Sequence, residues 1–506
     1  MRLLASTPQK LFLTCWIVYS AHFATNVVRE HYPAFSLAEH GTLQVDEYLG
    51  LHSDIFQHTD GHAYVNNQVT VSVLAAVPLV LFDPLLDELE DRRRRQVAQQ
   101  PAAAEAHYDT EYPLRQRFFA EVRARGLDLR FGAAAALTTV FVMAPLSALC
   151  VVLMHRLLLR RGVRASRALW LALLFAFATP LFLRTSVLSN NLLVMYGVFA
   201  SFALLAFQGE AREPPGAGRR AAAGFAAAAA VAADYSGLVS APFLYALCVV
   251  PRVRTAGWRR ALLESVPFLL GAALPIAFLL YTQWAMYGHP LYPGQYWMPE
   301  VNYTDRGWRG FAPPDLDLFL QNLIGLDWGL LPFAPLLALG LVPARLLPGG
   351  PLVLPRPERR WALAYAAAFL VFCSANQYAR MQWNTGFRYL LPLVPLLFLA
   401  ACDPLARLSR RTLVLISVPV LLHSWVLTVV RYLAQPHLSD EDAITGNWRR
   451  FLEGGVQLPW LNVLRQTTPD PDSIVHWGGW PFVALGLVGL AVAAVWTRRS
   501  PGARAA

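Results

Sequence analysis

Apolar runs of about 20 residues recur along most of the chain, and each is long enough to cross a hydrocarbon layer of ~30 Å. In lipid every backbone N–H and C=O must find its partner inside the protein, so a chain built of such runs crosses as helices. Composition points the same way. Of 506 residues, 56% are hydrophobic and 15% charged, where a soluble domain carries roughly 45–50% and about 25%. On this reading the composition excludes a soluble enzyme, a disordered chain, a coiled coil and a receptor with one anchor.

Twelve spans are predicted, at 10–28, 131–157, 167–187, 190–208, 221–233, 236–252, 261–285, 329–347, 361–377, 388–405, 412–432 and 479–497. The Ala-rich 221–233 run is the weakest, and the 67–84 run crosses, re-enters or lies at the interface. Charge decides between these arrangements. With 67–84 kept outside, one side holds both termini and the short loops, with 24 basic residues and five acids: Glu210, Glu213, Glu264, Glu358 and Asp403. The other side then holds 19 basic and 28 acidic residues. The expectation is a multi-pass protein of the plasma (inner) membrane, both termini cytoplasmic, the long loops 29–130, 286–328, 376–387 and 433–478 facing outward. The net charge of +10 then suits anionic lipid headgroups rather than nucleic acid. Of the 43 basic residues only Lys10 is a lysine, a bias read as genomic background. Cys15, Cys150, Cys248, Cys373 and Cys402 all fall in apolar runs, so no disulfide framework is expected. The 10–28 run reads as an uncleaved first span, and the whole chain, 1–506, as one membrane domain.

The first outer loop, 29–67, gathers Glu30, Glu39, Asp46, Glu47, Asp54 and Asp60 beside His31, His40, His52, His58 and His62. A carboxylate held here by packing can serve as a general base. Asp46 and Glu47 are the first choice, flanked by Leu43, Val45 and Tyr48; Asp54 and Asp60 come second. The competing reading is a solvated acidic loop. The same Asp and His residues make a divalent metal ion a possible cofactor, with no ligand set assigned. Tyr281, Trp284, Tyr287, Tyr292, Tyr296 and Trp297 form an aromatic belt or a platform for a ring or lipid chain. Trp383, Asn384, Thr385, Gly386, Phe387 and Arg388 open the 388–405 run. Arg388 either snorkels or grips an anion through two hydrogen bonds. Asp234 reads as a turn residue; Arg184, Asn190 and Asn191 read as structural. The charge-dense insert 86–128 reads as an outer lid or a disordered loop.

In sequence order, SLAEHGTLQVDEY (36–48), the Gly61–Tyr64–Asn66 segment running into SVLAAVP (72–78), Tyr281 with Tyr287–Gly288–His289–Pro290, and Trp383 with Gly386–Arg388–Tyr389–Leu390 form a pattern. The pattern resembles polytopic glycosyltransferases of the GT-C superfamily, a group that includes protein O-mannosyltransferases and lipid A aminoarabinose transferases. The resemblance implies an all-α GT-C-like bundle of about 12 transmembrane helices with interfacial helices. It implies inverting transfer of a sugar from a polyprenyl-phosphate carrier to an acceptor hydroxyl or amine on the outer face. Asp46 or Glu47 would be the base. Arg388, with Asn66, Asn67 and Tyr64, would hold the donor phosphate, and Tyr281, Tyr287, Tyr292, Trp383 and Tyr389 would form the platform. Asn66–Asn67–Gln68–Val69–Thr70 departs from the family, many of whose members carry a Lys–Pro or Pro–Gly step there. The alternatives are a lipid-linked-sugar flippase or a non-catalytic assembly factor of the same fold.

Overall fold

Leu and Ala, both strong helix formers, dominate the apolar runs, and most of those runs form helix. The computed structural model describes residues 6–99, 113–206, 215–300, 305–346, 352–380, 385–432, 441–468, 470 and 472–497. The first thirteen helices are α1 (Thr7–Ala21), α2 (His31–His40), α3 (Thr70–Leu81), α4 (Asp83–Gln99), α5 (Pro113–Ala124), α6 (Asp128–Thr138), α7 (Ala144–Arg160), α8 (Ala165–Phe177), α9 (Leu181–Thr185), α10 (Asn190–Ala206), α11 (Ala217–Ala233), α12 (Gly237–Ala256) and α13 (Trp258–Tyr287). A π-helical turn, Thr139–Met143, joins α6 to α7. Between α2 and α3, β1 (Ile55–Gln57) pairs antiparallel with β2 (Ala63–Val65), setting Ile55 opposite Val65 and Phe56 opposite Tyr64.

Among the described residues, five helices are long and apolar enough to cross a membrane: Asp128–Arg160, α12, α13, Arg410–Val430 and Trp480–Thr497. The count reaches six if α3 and α4, bent by 78° at their junction, form one broken span. This corrects the expected twelve-span, GT-C-like bundle. The causes are local. The 10–28 run gives only the 15 residues of α1. The 167–187 run breaks at Thr179–Pro180 into α8 and α9, of 13 and five residues. The 329–347 run becomes the four-residue helix Leu330–Phe333 and a 3-10 stretch, Pro335–Leu341. The 388–405 run opens with a 3-10 turn at Leu391–Leu393, leaving 12 helical residues, Val394–Leu405. Apolar helices of this length belong to protein cores rather than bilayers, and Val394–Leu405 is buried at almost every position. The 190–208 and 221–233 runs give α10 and α11, 17 residues each. Arg356–Ala375 has the length, but Arg356, Glu358, Arg359 and Arg360 occupy its first turns.

Small residues set the packing of α10, α11 and α13. A Cβ at Gly197 would lie 2.5 Å from the Ala226 carbonyl oxygen, and one at Gly224 1.8 Å from that of Phe268. Helices so close are in backbone contact, the arrangement that small residues permit.

Charge is also taken inside. Arg93 meets Asp128 at 2.9 Å, with both side chains buried. Arg130 on α6 gathers Glu39 from α2 and both Asp87 and Glu90 from α4, the latter two at 2.8 Å. These ion pairs clamp the described parts of the 86–128 insert; residues 100–112 of it lie outside the described residues. Arg359 reaches Asp403 at 3.0 Å and also donates to the carbonyls of Ala400, Gly340 and Val342.

Candidate metal centre

Helix α2 buries His31 to Ser36 and leaves its last turn at the surface. Gly41 closes it in the left-handed region, at φ 66°. Its amide donates to the Leu37 carbonyl at 3.2 Å and that of Thr42 to Ser36 at 3.4 Å, a helix stop that glycine makes at no steric cost. The Val45 amide then bonds the Ala63 carbonyl at 2.9 Å, pinning the returning chain to β2. The 3-10 turn Asp46–Tyr48 follows, and Glu47 comes back to the end of α2.

There, His40 Nε2 lies 3.8 Å from Glu39 Oε2 and 3.7 Å from Glu47 Oε1. One ligand atom from each of the three residues falls within 4.8 Å of the others. Separations of 3.7–3.8 Å exceed hydrogen-bond length. They suit two ligands each about 2.0–2.2 Å from a shared ion. The cluster is therefore capable of coordinating a divalent cation through one nitrogen and two carboxylates, a donor set that suits Zn²⁺, Mn²⁺ or Fe²⁺. Three protein ligands leave further positions open. Burial raises the Glu39 carboxyl above its usual range; Arg130 opposes this, and the Glu47 carboxylate adds to the rise. Arg130 also fixes the other Glu39 oxygen, and orienting a ligand in this way is what surrounding partners do at metal sites.

Neighbours in sequence, Asp46 and Glu47 serve different partners. Asp46 accepts from His62 Nδ1 at 2.9 Å and from the Ala63 amide. Partial burial works to raise its carboxyl, but those two hydrogen bonds outweigh it and hold it below the usual range. Asp60 accepts from the His62 amide at 2.9 Å and from the Tyr64 hydroxyl at 3.0 Å, bracing the β1–β2 turn. Asp54 lies deeper, 2.6 Å from Arg29. Desolvation there favours its neutral form, yet Arg29 and then His52 keep it ionised. Asn67 donates to Glu30 at 3.0 Å, and Asn66 donates to Met298 Sδ. Asp54, Asn66 and Asn67 thus share one polar layer with Arg29 and Glu30, whereas Asp46, Glu47 and Asp60 stand at the surface.

The aromatic candidates separate. The Tyr287 hydroxyl donates to the Val65 carbonyl beside a small recess of about 10 Å³ lined by Asn66, Asn67, Gln68, Tyr235 and Gln283. Tyr292 stacks between His289 and Tyr296, at 4.1 and 4.5 Å. Tyr281 is exposed beside Trp284. Tyr389 lies under the Arg388 guanidinium, 4.9 Å from ring centre to Cζ. Trp383 and Asn384 lie outside the described residues. Arg184, read as structural, is buried and donates to the Gly386 and Phe387 carbonyls. Sequence reasoning passed over the pairing of Glu39 and His40 with Glu47. Its one signal is Gly41, which ends the helix and turns the chain back.

No family model, curated protein or solved structure matches the chain. The GT-C resemblance is corrected by the architecture, which has five or six candidate spans, an interior clamped by buried ion pairs and a Glu–His–Glu cluster at the surface. With it fall the glycosyltransferase activity and the polyprenyl-phosphate chemistry.

Proposed function

We propose that the chain is a cation-binding membrane protein, anchored by its five or six apolar helices and carrying its ligand chemistry on the 29–67 cap. The observation that carries this reading is the convergence of Glu39, His40 and Glu47 within 4.8 Å. A bound cation would supply Lewis acidity toward oxygen donors, and the open positions beside three protein ligands leave room for one. Glu39 and Glu47 would neutralise the ion, His40 would hold it as a neutral imidazole, and Arg130 would orient Glu39. The apolar helices support a membrane placement, with the cap, which precedes the first of them, on the same side as the N-terminus.

Titration calorimetry of the detergent-purified protein with Zn²⁺ and Mn²⁺ tests this. The expected result is one site, weakened at least about tenfold by His40→Ala or Glu47→Gln and unmoved by Glu453→Gln. Both substituted residues are largely exposed, so the fold survives the change. Equal affinity in wild type and in His40→Ala overturns the reading.

A further inference from the structure

At the end of the chain's longest candidate span, Asp128–Arg160, a groove of about 420 Å³ opens between α7, α10 and α11. Leu153, Leu157 and Leu204 form its walls, and Ala200 and Ala203 its floor. Arg160 and Arg219 stand at its mouth. Arg219 reaches the Ala203 carbonyl at 3.5 Å. Burial and then the neighbouring Arg160 both work against its charge. Two like charges drawn together over an apolar slot are stabilised when an anion sits between them. The surroundings add to this: residues 156–167 carry five arginines and no acid, and residues 215–220 two arginines and no acid.

We propose that this groove holds one anionic phospholipid of the bilayer. Its phosphate bridges Arg160 and Arg219, and an acyl chain lies along Leu153, Leu157 and Leu204. Two features select a lipid over free phosphate. The slot below the arginines is apolar along its length, and it opens where a membrane-crossing helix ends. Basic recesses between membrane helices are the expected seats of anionic headgroups, and arginine's planar fork grips phosphate through paired hydrogen bonds. The small floor residues leave the slot its depth.

This inference rests on the membrane reading but not on the metal centre, so calorimetry of the cap and the lipid experiment fail separately. Native mass spectrometry of the purified protein titrated with phosphatidylglycerol or phosphatidylcholine provides the test. We expect one tightly retained phosphatidylglycerol, held about tenfold or more over phosphatidylcholine, since each basic group near a membrane surface contributes roughly fivefold. Arg160→Gln combined with Arg219→Gln abolishes that preference. Ala203→Leu, which fills the floor and keeps the arginines, lowers retention of both lipids. Equal retention of the two lipids by the wild type, or a preference that survives the double substitution, overturns the proposal. Displacement of phosphatidylglycerol by millimolar inorganic phosphate alone also overturns it, in favour of a plain anion site. Unchanged thermal unfolding in the double variant separates lost lipid binding from lost fold.

Discussion

Replacing Gly224 by Ala tests whether α11 is a central helix held by backbone contact. The added Cβ would sit 1.8 Å from the Phe268 carbonyl oxygen and 2.7 Å from its carbon. Non-bonded carbon and oxygen do not approach within 3.0 Å, so α11 and α13 must part by at least about 1.2 Å. The obstacle is backbone, which has no rotamer by which to withdraw. A gap of 0.5–1 Å already forfeits a quarter to a half of the dispersion energy of the atoms along it. Overpacking of this kind costs about 1–3 kcal/mol, and a fixed backbone obstacle places Gly224 toward the upper value. Helix propensity returns about 1 kcal/mol on going from Gly to Ala, leaving a net loss of about 2 kcal/mol. Gly271 meets Ala221 across the same interface, with its Cβ 1.9 Å from that carbonyl oxygen. One separation relieves both clashes, so Gly224→Ala with Gly271→Ala costs less than the sum of the singles. Gly486 is the control: it lies in Trp480–Thr497 with nothing within 4 Å of its Cβ, so Gly486→Ala is neutral or stabilising. Five buried free cysteines make thermal unfolding readable with a thiol-reactive dye in detergent. The expected order of Tm is Gly486→Ala at or above wild type, with Gly224→Ala clearly below. A Gly224→Ala protein as stable as Gly486→Ala would refute the close packing of α11 on α13.

Arg359→Met strands the buried Asp403 and costs about 3–5 kcal/mol, whereas Arg359→Met with Asp403→Leu recovers much of that; denaturant unfolding in micelles compares the two. The Asp46–His62 pair sets a pH window for the cap. The hydrogen bond to Asp46 raises the His62 imidazole above its usual value, though its slight desolvation works the other way, so its contribution is full below about pH 6.5 and fades as pH rises through the raised value. Asp46 is held low, so its contribution is present above the usual carboxylate range and fades as pH falls through the lowered value. The protection factor of a peptide covering 43–64, corrected for the intrinsic base-catalysed exchange rate, should therefore be highest in mildly acidic buffer and lower at pH 9; a protection factor unchanged from pH 5 to 9 counts against the pair. Glu39 titrates above the usual carboxylate range, and protons compete with the ion for it. Cation affinity is then expected to climb with pH through that raised value, measured by calorimetry at pH 5 and 7; equal affinity at both removes Glu39 from the ligand set.

The sequence places apolar mass well but says less about where helices stop. The runs 131–157, 236–252, 261–285, 412–432 and 479–497 each match, to within two residues at either end, part or all of a helix long enough to cross. The others fail for reasons that are written in the chain but easily outweighed by average hydropathy. Pro180 ends one run; Pro392 and Pro395 tighten the entry to another. Four charged residues occupy the first turns of Arg356–Ala375. The 221–233 run was the weakest on hydropathy because alanine is only mildly apolar. The same alanines let α11 touch α10 and α13 backbone to backbone, so the property that weakens it as a span makes it central as a packing element.

The cap shows the same limit at finer scale. Composition alone singles out 29–67 as the acidic, histidine-rich segment, and the candidate centre lies in it. Treating Asp46 and Glu47 as one unit is where linear reading stops serving. Adjacent residues of a helical turn point different ways, so one carboxylate reaches His62 and the other His40. The first becomes a brace between the 3-10 turn and the β-hairpin. The second becomes a ligand atom only because Gly41 reverses the chain and the Val45–Ala63 hydrogen bond fixes how far it returns. A metal centre assembled this way depends on one backbone conformation more than on the spacing of its ligands. Gly41→Val, which places a β-branched residue at φ 66°, should then weaken cation binding as much as removing His40 does, with every ligand side chain intact.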